Sequence, residues 1–255
     1  ENQMAYPFRT EYGAGGERDL QYPITNLMSL LAADRVAWNS SWNLESFCGG
    51  IDELIGHCPD HALVDVEDDI RSRSSIIWPP VCAHATPGAV ERVLHNSPVV
   101  VWPHRWEHDK NPEGLLDTAR RAREAGHCLR WILLGRCSGP VPEAMTAFHD
   151  EFGTDIVHSG WVESREEYWS LLQQADWVLS TARHEFFGIA VAEAMLAGCL
   201  PWLPDRLSYP EITPRIAHGL SPMNPPDDMH MVRKACIQHM APCAAAEAVG
   251  RLDQQ

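Results

Sequence analysis

The stretch Trp177-Val-Leu-Ser-Thr-Ala-Arg-His-Glu-Phe-Phe-Gly-Ile-Ala-Val-Ala-Glu-Ala-Met-Leu-Ala-Gly-Cys-Leu200 decides the fold. It reads as a short apolar strand, a polar loop, an apolar helix and a second apolar strand, with Gly188 allowing the tight turn into the helix. Such strands alternating with helices build a parallel sheet covered on both faces, whose ligand site lies in the loops after the strands' carboxyl ends. Two carboxylates flank that turn: Glu185 in the loop and Glu193 inside the helix. The free N–H groups at the helix entrance suit an anion such as a diphosphate, leaving one carboxylate for a ribose and the other for a sugar. The spacing alone fits equally an acid near a helix N-terminus plus one solvated Glu. Thr181 and His184 fall beside the same loop, the His as a donor to a sugar hydroxyl or as a cap.

Working outward, the same alternation predicts strands at 99–102, 129–134, 155–159, 177–180 and 200–203. Helices are predicted between them at 112–125, 142–152, 164–175 and 188–197. The loop after the first of these strands, Trp102-Pro-His-Arg-Trp-Glu-His-Asp-Lys-Asn-Pro112, carries Arg105 and Lys110 into a helix start. That placement suits charge-assisted clamping of a pyrophosphate, although Arg105 can also simply pair with Glu107 or Asp109. Gly135, just past the next strand, marks a close backbone approach or a plain turn.

Upstream, residues 19–33 have apolar side chains at helical spacing, 35–39 read as a short strand, and Ser40-Ser41 cap a helix carrying Leu44, Phe47 and Ile51. Ser75–Trp78 forms another short strand. The segment 82–97, with Pro87 and Gly88, is the candidate linker, which divides the chain into an amino-terminal α/β domain over 1–90 and a Rossmann-like domain over 91–255.

A chain of 255 residues can bury a sizeable core, and its formal net charge of −15 disfavours polyanions and anionic membrane surfaces except at a local basic patch. Arg71 with Arg73, or Arg120, Arg121 and Arg123, are candidates for such a patch, or else solvated surface. The eight dispersed cysteines form no Cys-x-x-Cys pair and read as reduced thiols of a cytoplasmic protein. The histidines lack metal-ligand spacing, so no metal is expected, and no stretch is long and apolar enough to span a bilayer.

With these residues in place, the chain resembles the tRNA-queuosine mannosyltransferases, a family of retaining GT-B glycosyltransferases. Three segments carry the resemblance: Glu1-Asn-Gln-Met-Ala-Tyr-Pro7 with Arg18-Asp-Leu-Gln-Tyr22, then 101–112, then 180–188 with Tyr209-Pro-Glu-Ile212. The resemblance implies transfer of mannose from GDP-mannose to queuosine in a tRNA anticodon loop, without a cofactor or metal, in the cytoplasm and without a membrane partner. It implies that Arg105 and Lys110 bind the diphosphate and neutralise the leaving group. Glu193 would hold the ribose, and Glu185 the mannose hydroxyls. Backbone at Phe186, Phe187 and Gly188, together with His184, Thr181 and Gly135, would complete the donor site, and Asn2 and Gln3 would lie on the acceptor side. Retention in such enzymes is attributed to front-face attack with the phosphate as base, so no protein nucleophile is expected.

Relatives carry a His and further strands ahead of the Glu-Asn-Gln segment, so the chain is expected to begin inside a truncated amino-terminal domain. Past Ile212 the family pattern is lost, and 229–248 reads as a closing helix. A second reading is a non-catalytic nucleotide-sugar-binding remnant of the same fold, and a third is a GT-B transferase with another acceptor.

Overall fold

The computed structural model describes residues 2–4, 21–56, 65–81 and 97–243. The chain divides into two compact units, Glu1–Trp78 and Pro79–Gln255. Residues 82–96 of the expected linker, and residues 1, 5–7 and 18–20 of the first family segment, lie outside the described residues.

In the first unit, helix α1 (Gln21–Ala32), strand β1 (Val36–Trp38), helix α2 (Ser41–Gly56), helix α3 (Val66–Ser72) and strand β2 (Ser74–Ile76) follow in order. The two strands pair in parallel, with Val36 opposite Ser74 and Trp38 opposite Ile76. Leu27, Val36, Trp38, Phe47, Ile51, Leu54, Val66 and Ile70 form one core. Ser40 begins α2 as the sequence suggests, its Oγ accepting from Asn43 N at 3.0 Å. Helix α3 falls in a run that reads only as polar and acidic. Its two apolar residues, Val66 and Ile70, stand one turn apart and are both buried, so packing rather than propensity makes the helix.

The second unit holds strands β3 (Val99–Pro103), β4 (Arg130–Leu134), β5 (Ile156–Gly160), β6 (Trp177–Leu179) and β7 (Leu200–Trp202). Between them run helices α4 (Pro112–Glu124), α5 (Glu143–Phe152), α6 (Arg165–Gln174) and α7 (Ile189–Leu196), followed by the short α8 (Tyr209–Ile212) and α9 (Met229–Met240). The four helices and five strands expected between 99 and 203 appear with no end shifted by more than one residue. Residues 244–248 of the expected closing helix lie outside the described part, and α9 ends at Met240.

The strands pair in parallel in the order β5-β4-β3-β6-β7. All five residues of β3 are buried, as a strand covered on both faces requires. Helix α7 is buried from Val191 to Leu196, so it packs as an interior helix, whereas α4 buries only Pro112, Leu115, Leu116, Ala119 and Ala122 along one stripe.

The strand order has a functional consequence. From β3 the chain moves one way to β4 and β5, then returns to the other side for β6 and β7. The crevice between the carboxyl ends of β3 and β6 is therefore the switch point where such sheets bind ligands. The sequence places the Arg105–Lys110 loop and the Glu185 loop at those two strand ends.

Candidate active site

The two loops are tied together at the switch point. Asp109 O accepts from Arg183 N at 2.8 Å and from His184 N at 3.3 Å. Thr181 Oγ1 donates to Lys110 O at 2.9 Å and accepts from the buried Trp102 Nε1 at 3.0 Å. Asn111 adopts the left-handed conformation at φ 57° and caps α4 by accepting from Gly114 N at 3.2 Å. Thr181 thus fixes the course of the Lys110 loop.

Lys110 is the hub. Its Nζ lies 3.1 Å from Asp109 Oδ2 and 3.3 Å from Glu185 Oε2, and donates to His184 O at 3.1 Å. Burial pulls its pKa down, but Glu185 and Asp109 outweigh that and hold the ammonium above its ordinary value. The other oxygen of Glu185 accepts from Phe186 N at 3.1 Å. Phe186 and Phe187 are buried, and Ser208 Oγ donates to Phe187 O at 3.0 Å. Gly188 sits at φ 92° immediately before α7, with Tyr209 beneath it. Tyr209 Oη and Ser180 Oγ are 2.5 Å apart, so this turn rests on a buried hydrogen-bonded floor.

Beside this hub lies a cleft of about 320 Å³ lined by Arg105, Gly135, Trp161, Arg165, Tyr168 and Glu193, among others. Arg105 is more than half exposed and lies 3.2 Å from Glu107 Oε2, the partner that the sequence offered as an alternative to a ligand. Glu193 is 6% exposed, and Tyr168 Oη donates to its Oε2 at 2.6 Å while Arg165 pairs with Oε1. His104, also in the cleft wall, is pushed down to about 3 by burial and by Lys110, so its imidazole is neutral.

Gly135 is required by geometry. Its φ is +136°, and a Cβ there would lie 2.0 Å from the backbone oxygen of His104. Gly135→Ala is expected to cost about 2–4 kcal/mol, read as a lower urea midpoint, because the strain and the clash add. An unchanged midpoint would contradict this close approach of the two strand ends.

Of the residues singled out in the sequence, Arg105, Gly135 and Glu193 share the cleft, while Lys110, His184, Glu185, Phe186, Phe187, Gly188 and Thr181 form the adjoining hub. Asn2 and Gln3 belong to the first unit. The Asn2 amide donates to Asn43 and Ser46, and Gln3 N donates to Asn26 Oδ1. Sequence reasoning missed Asp109, Arg165 and Tyr168. Asp109 carried a signal, an acid next to the only Lys of that loop; the other two lie on α6, where nothing in the spacing points to a site.

The candidate basic patches are largely spent on internal partners. Arg71 pairs with Glu45 at 2.7 Å and with Glu67 at 2.7 Å, and Arg73 with Asp69. Arg120 and Arg123 both pair with Glu151. Among the described residues Cys48, Cys128, Cys137, Cys199, Cys236 and Cys243 are not paired with one another in disulfides, and no helix is long and apolar enough to cross a membrane.

Comparison with known proteins places this geometry in a family. Residues 1–81 match the model of the tRNA-queuosine alpha-mannosyltransferase N-terminal domain, and residues 89–215 match that of glycosyl transferases group 1. The chain is 35% identical over 227 residues to the tRNA-queuosine alpha-mannosyltransferase of Drosophila melanogaster, an alignment covering 84% of this chain and 58% of that protein. It therefore spans less than two thirds of that relative's length. A GDP-mannose:cellobiosyl-diphosphopolyprenol alpha-mannosyltransferase of Xanthomonas campestris is 30% identical over 118 residues, 46% of this chain and 31% of that protein. Among solved structures, a glycosyltransferase from Rickettsia africae superposes with a TM-score of 0.59 at 14% identity, covering 95% of this chain and 67% of that one. Anabaena HepE, in complex with UDP and glucose, gives 0.53 at 17% identity, covering 90% and 62%. These likenesses identify the fold as that of the GT-B glycosyltransferases. Carrying both matched segments in order on that fold, the chain belongs to the tRNA-queuosine alpha-mannosyltransferase family.

Proposed function

We propose that the chain is a retaining glycosyltransferase that moves mannose from GDP-mannose to queuosine in the anticodon loop of a cytoplasmic tRNA. One observation carries this reading: the Arg105–Lys110 loop and the Glu185–Glu193 segment converge at the switch point of the sheet. Family membership supplies the mannose and the queuosine.

The chemistry follows from the partners already present. Breaking the bond between sugar and phosphate builds negative charge on the diphosphate, and Arg105 and Lys110 are the cations placed to stabilise it. In the free protein all three donors of Lys110 are engaged by His184 O, Glu185 and Asp109. A diphosphate at the entrance of α7 would take the place of Glu185 on Lys110, and Glu185 Oε2 would turn to the mannose hydroxyls. Glu193 would hold the ribose. Both carboxylates are bound by donors, so neither is assigned as a nucleophile, and the leaving phosphate serves as base for attack on the same face of the sugar.

Incubation of the chain with GDP-mannose and queuosine-containing tRNA, followed by mass analysis of nucleosides, tests the reaction. A hexose adduct on queuosine is expected, and hydrolysis of donor without an adduct would contradict the acceptor. Because Arg105 and Lys110 supply the charge, transfer is expected to continue in EDTA. A loss restored by magnesium would show that the protein's cations are insufficient.

A further inference from the structure

We infer that Tyr168 and Arg165 are positioning residues that lock the Glu193 carboxylate for the two ribose hydroxyls of the donor, and so set the preference for ribonucleotides over deoxynucleotides. The inference rests on the proposed assignment of Glu193 to the ribose and goes beyond it by naming what holds that side chain.

Glutamate has rotatable bonds enough to present its carboxylate in several directions, and a diol needs one direction. Here both oxygens are fixed. Tyr168 Oη donates to Oε2 at 2.6 Å and the Arg165 guanidinium pairs with Oε1. An ionised carboxylate has about four acceptor positions. These two donors leave one per oxygen, matching the two hydroxyls of a ribose, and Glu193 lines the cleft.

The brace is itself rigid. Arg165 and Tyr168 are three residues apart on α6, so they share one face of a single helix. That helix is fixed at its start by Ser164, whose Oγ accepts from Glu167 N at 3.2 Å. The Arg165 guanidinium sits 5.2 Å from the Tyr168 ring and 5.7 Å from the Trp169 ring. Burial, then the neighbouring Glu193, pushes the Tyr168 phenol up, so it stays a neutral O–H donor. Both side chains also line the cleft, which a brace serving only the core would not require.

The test is equilibrium binding of GDP and of 2′,3′-dideoxy-GDP to the wild-type chain, Tyr168→Phe and Arg165→Gln. The wild type is expected to prefer GDP by about 10–100-fold, since hydrogen bonds to a charged acceptor are the strong ones. In each variant the preference is expected to fall by about 5–10-fold while the affinity for dideoxy-GDP stays unchanged. Equal weakening of both nucleotides, or a preference kept at its wild-type value, would overturn the inference. A wild type that binds both equally would instead remove Glu193 from the ribose. Arg165→Gln keeps the test open should Tyr168→Phe fail to fold, because the Arg165 side chain is 42% exposed.

Discussion

Lys110→Met is expected to lower kcat/KM for mannosyl transfer by about 10²–10³-fold, the loss typical when one preorganised donor to a developing charge is removed. Met keeps the length and apolar stem of the side chain and deletes the ammonium. Two carboxylates, Asp109 and Glu185, then lose the cation between them, and Asp109 is almost fully buried. Affinity for GDP is expected to fall with activity, whereas affinity for guanosine is not. A variant with wild-type kcat/KM would exclude Lys110 from the reaction.

The same substitution has a pH signature. The Lys110 pKa is raised in the folded chain above its ordinary 10.5. A raised cationic pKa contributes stability that is fully present below the unfolded value and is lost as pH rises through the folded one. Wild type is thus expected to lose stability above about pH 10.5 in excess of Lys110→Met, seen as converging urea midpoints. Parallel midpoints across that range would mean that Asp109 and Glu185 do not stabilise the ammonium.

Asp176→Ala is expected to destabilise the fold by about 3–5 kcal/mol, because removing one partner leaves a buried charge uncompensated. Asp176 Oδ2 accepts from Val99 N at 3.0 Å, and Oδ1 lies 3.3 Å from Arg233 on α9. Its backbone bonds Val99 O and Leu200 N. One residue therefore joins β3, β7 and α9 at the end of the sheet opposite the site. A urea midpoint lowered with an unchanged slope is the expected result. A loss under 1 kcal/mol would show that solvent compensates Arg233.

Much of the second unit is legible in the sequence because its signals are strong and local. Runs such as Val99-Val-Val-Trp102 admit only a buried strand, and the amphipathic stripe of α4 fixes a helix between two of them. Asn111 and Ser164 cap α4 and α6, each side chain accepting from a backbone N–H of the first turn. Helix α3 is not legible, since two apolar residues in an acidic run become helical only through the core they join. The site divides in the same way. Arg105, Lys110 and Glu185 stand in the loops after two strands and Glu193 in the helix that follows, a spacing visible in one dimension. Arg165 and Tyr168 are not visible that way, because only the packing of α6 beside α7 brings them to Glu193. The arginine clusters are the converse case. Arg120 and Arg123 read as a basic surface until Glu151, on the next helix, is seen to pair with both.

A crystal structure of the chain with saturating GDP tests the central claim most directly. The diphosphate is expected between Arg105 and Lys110, at the entrance of α7, with the ribose hydroxyls on Glu193. Nucleotide bound away from these residues, or a switch-point cleft left vacant at saturation, would contradict it.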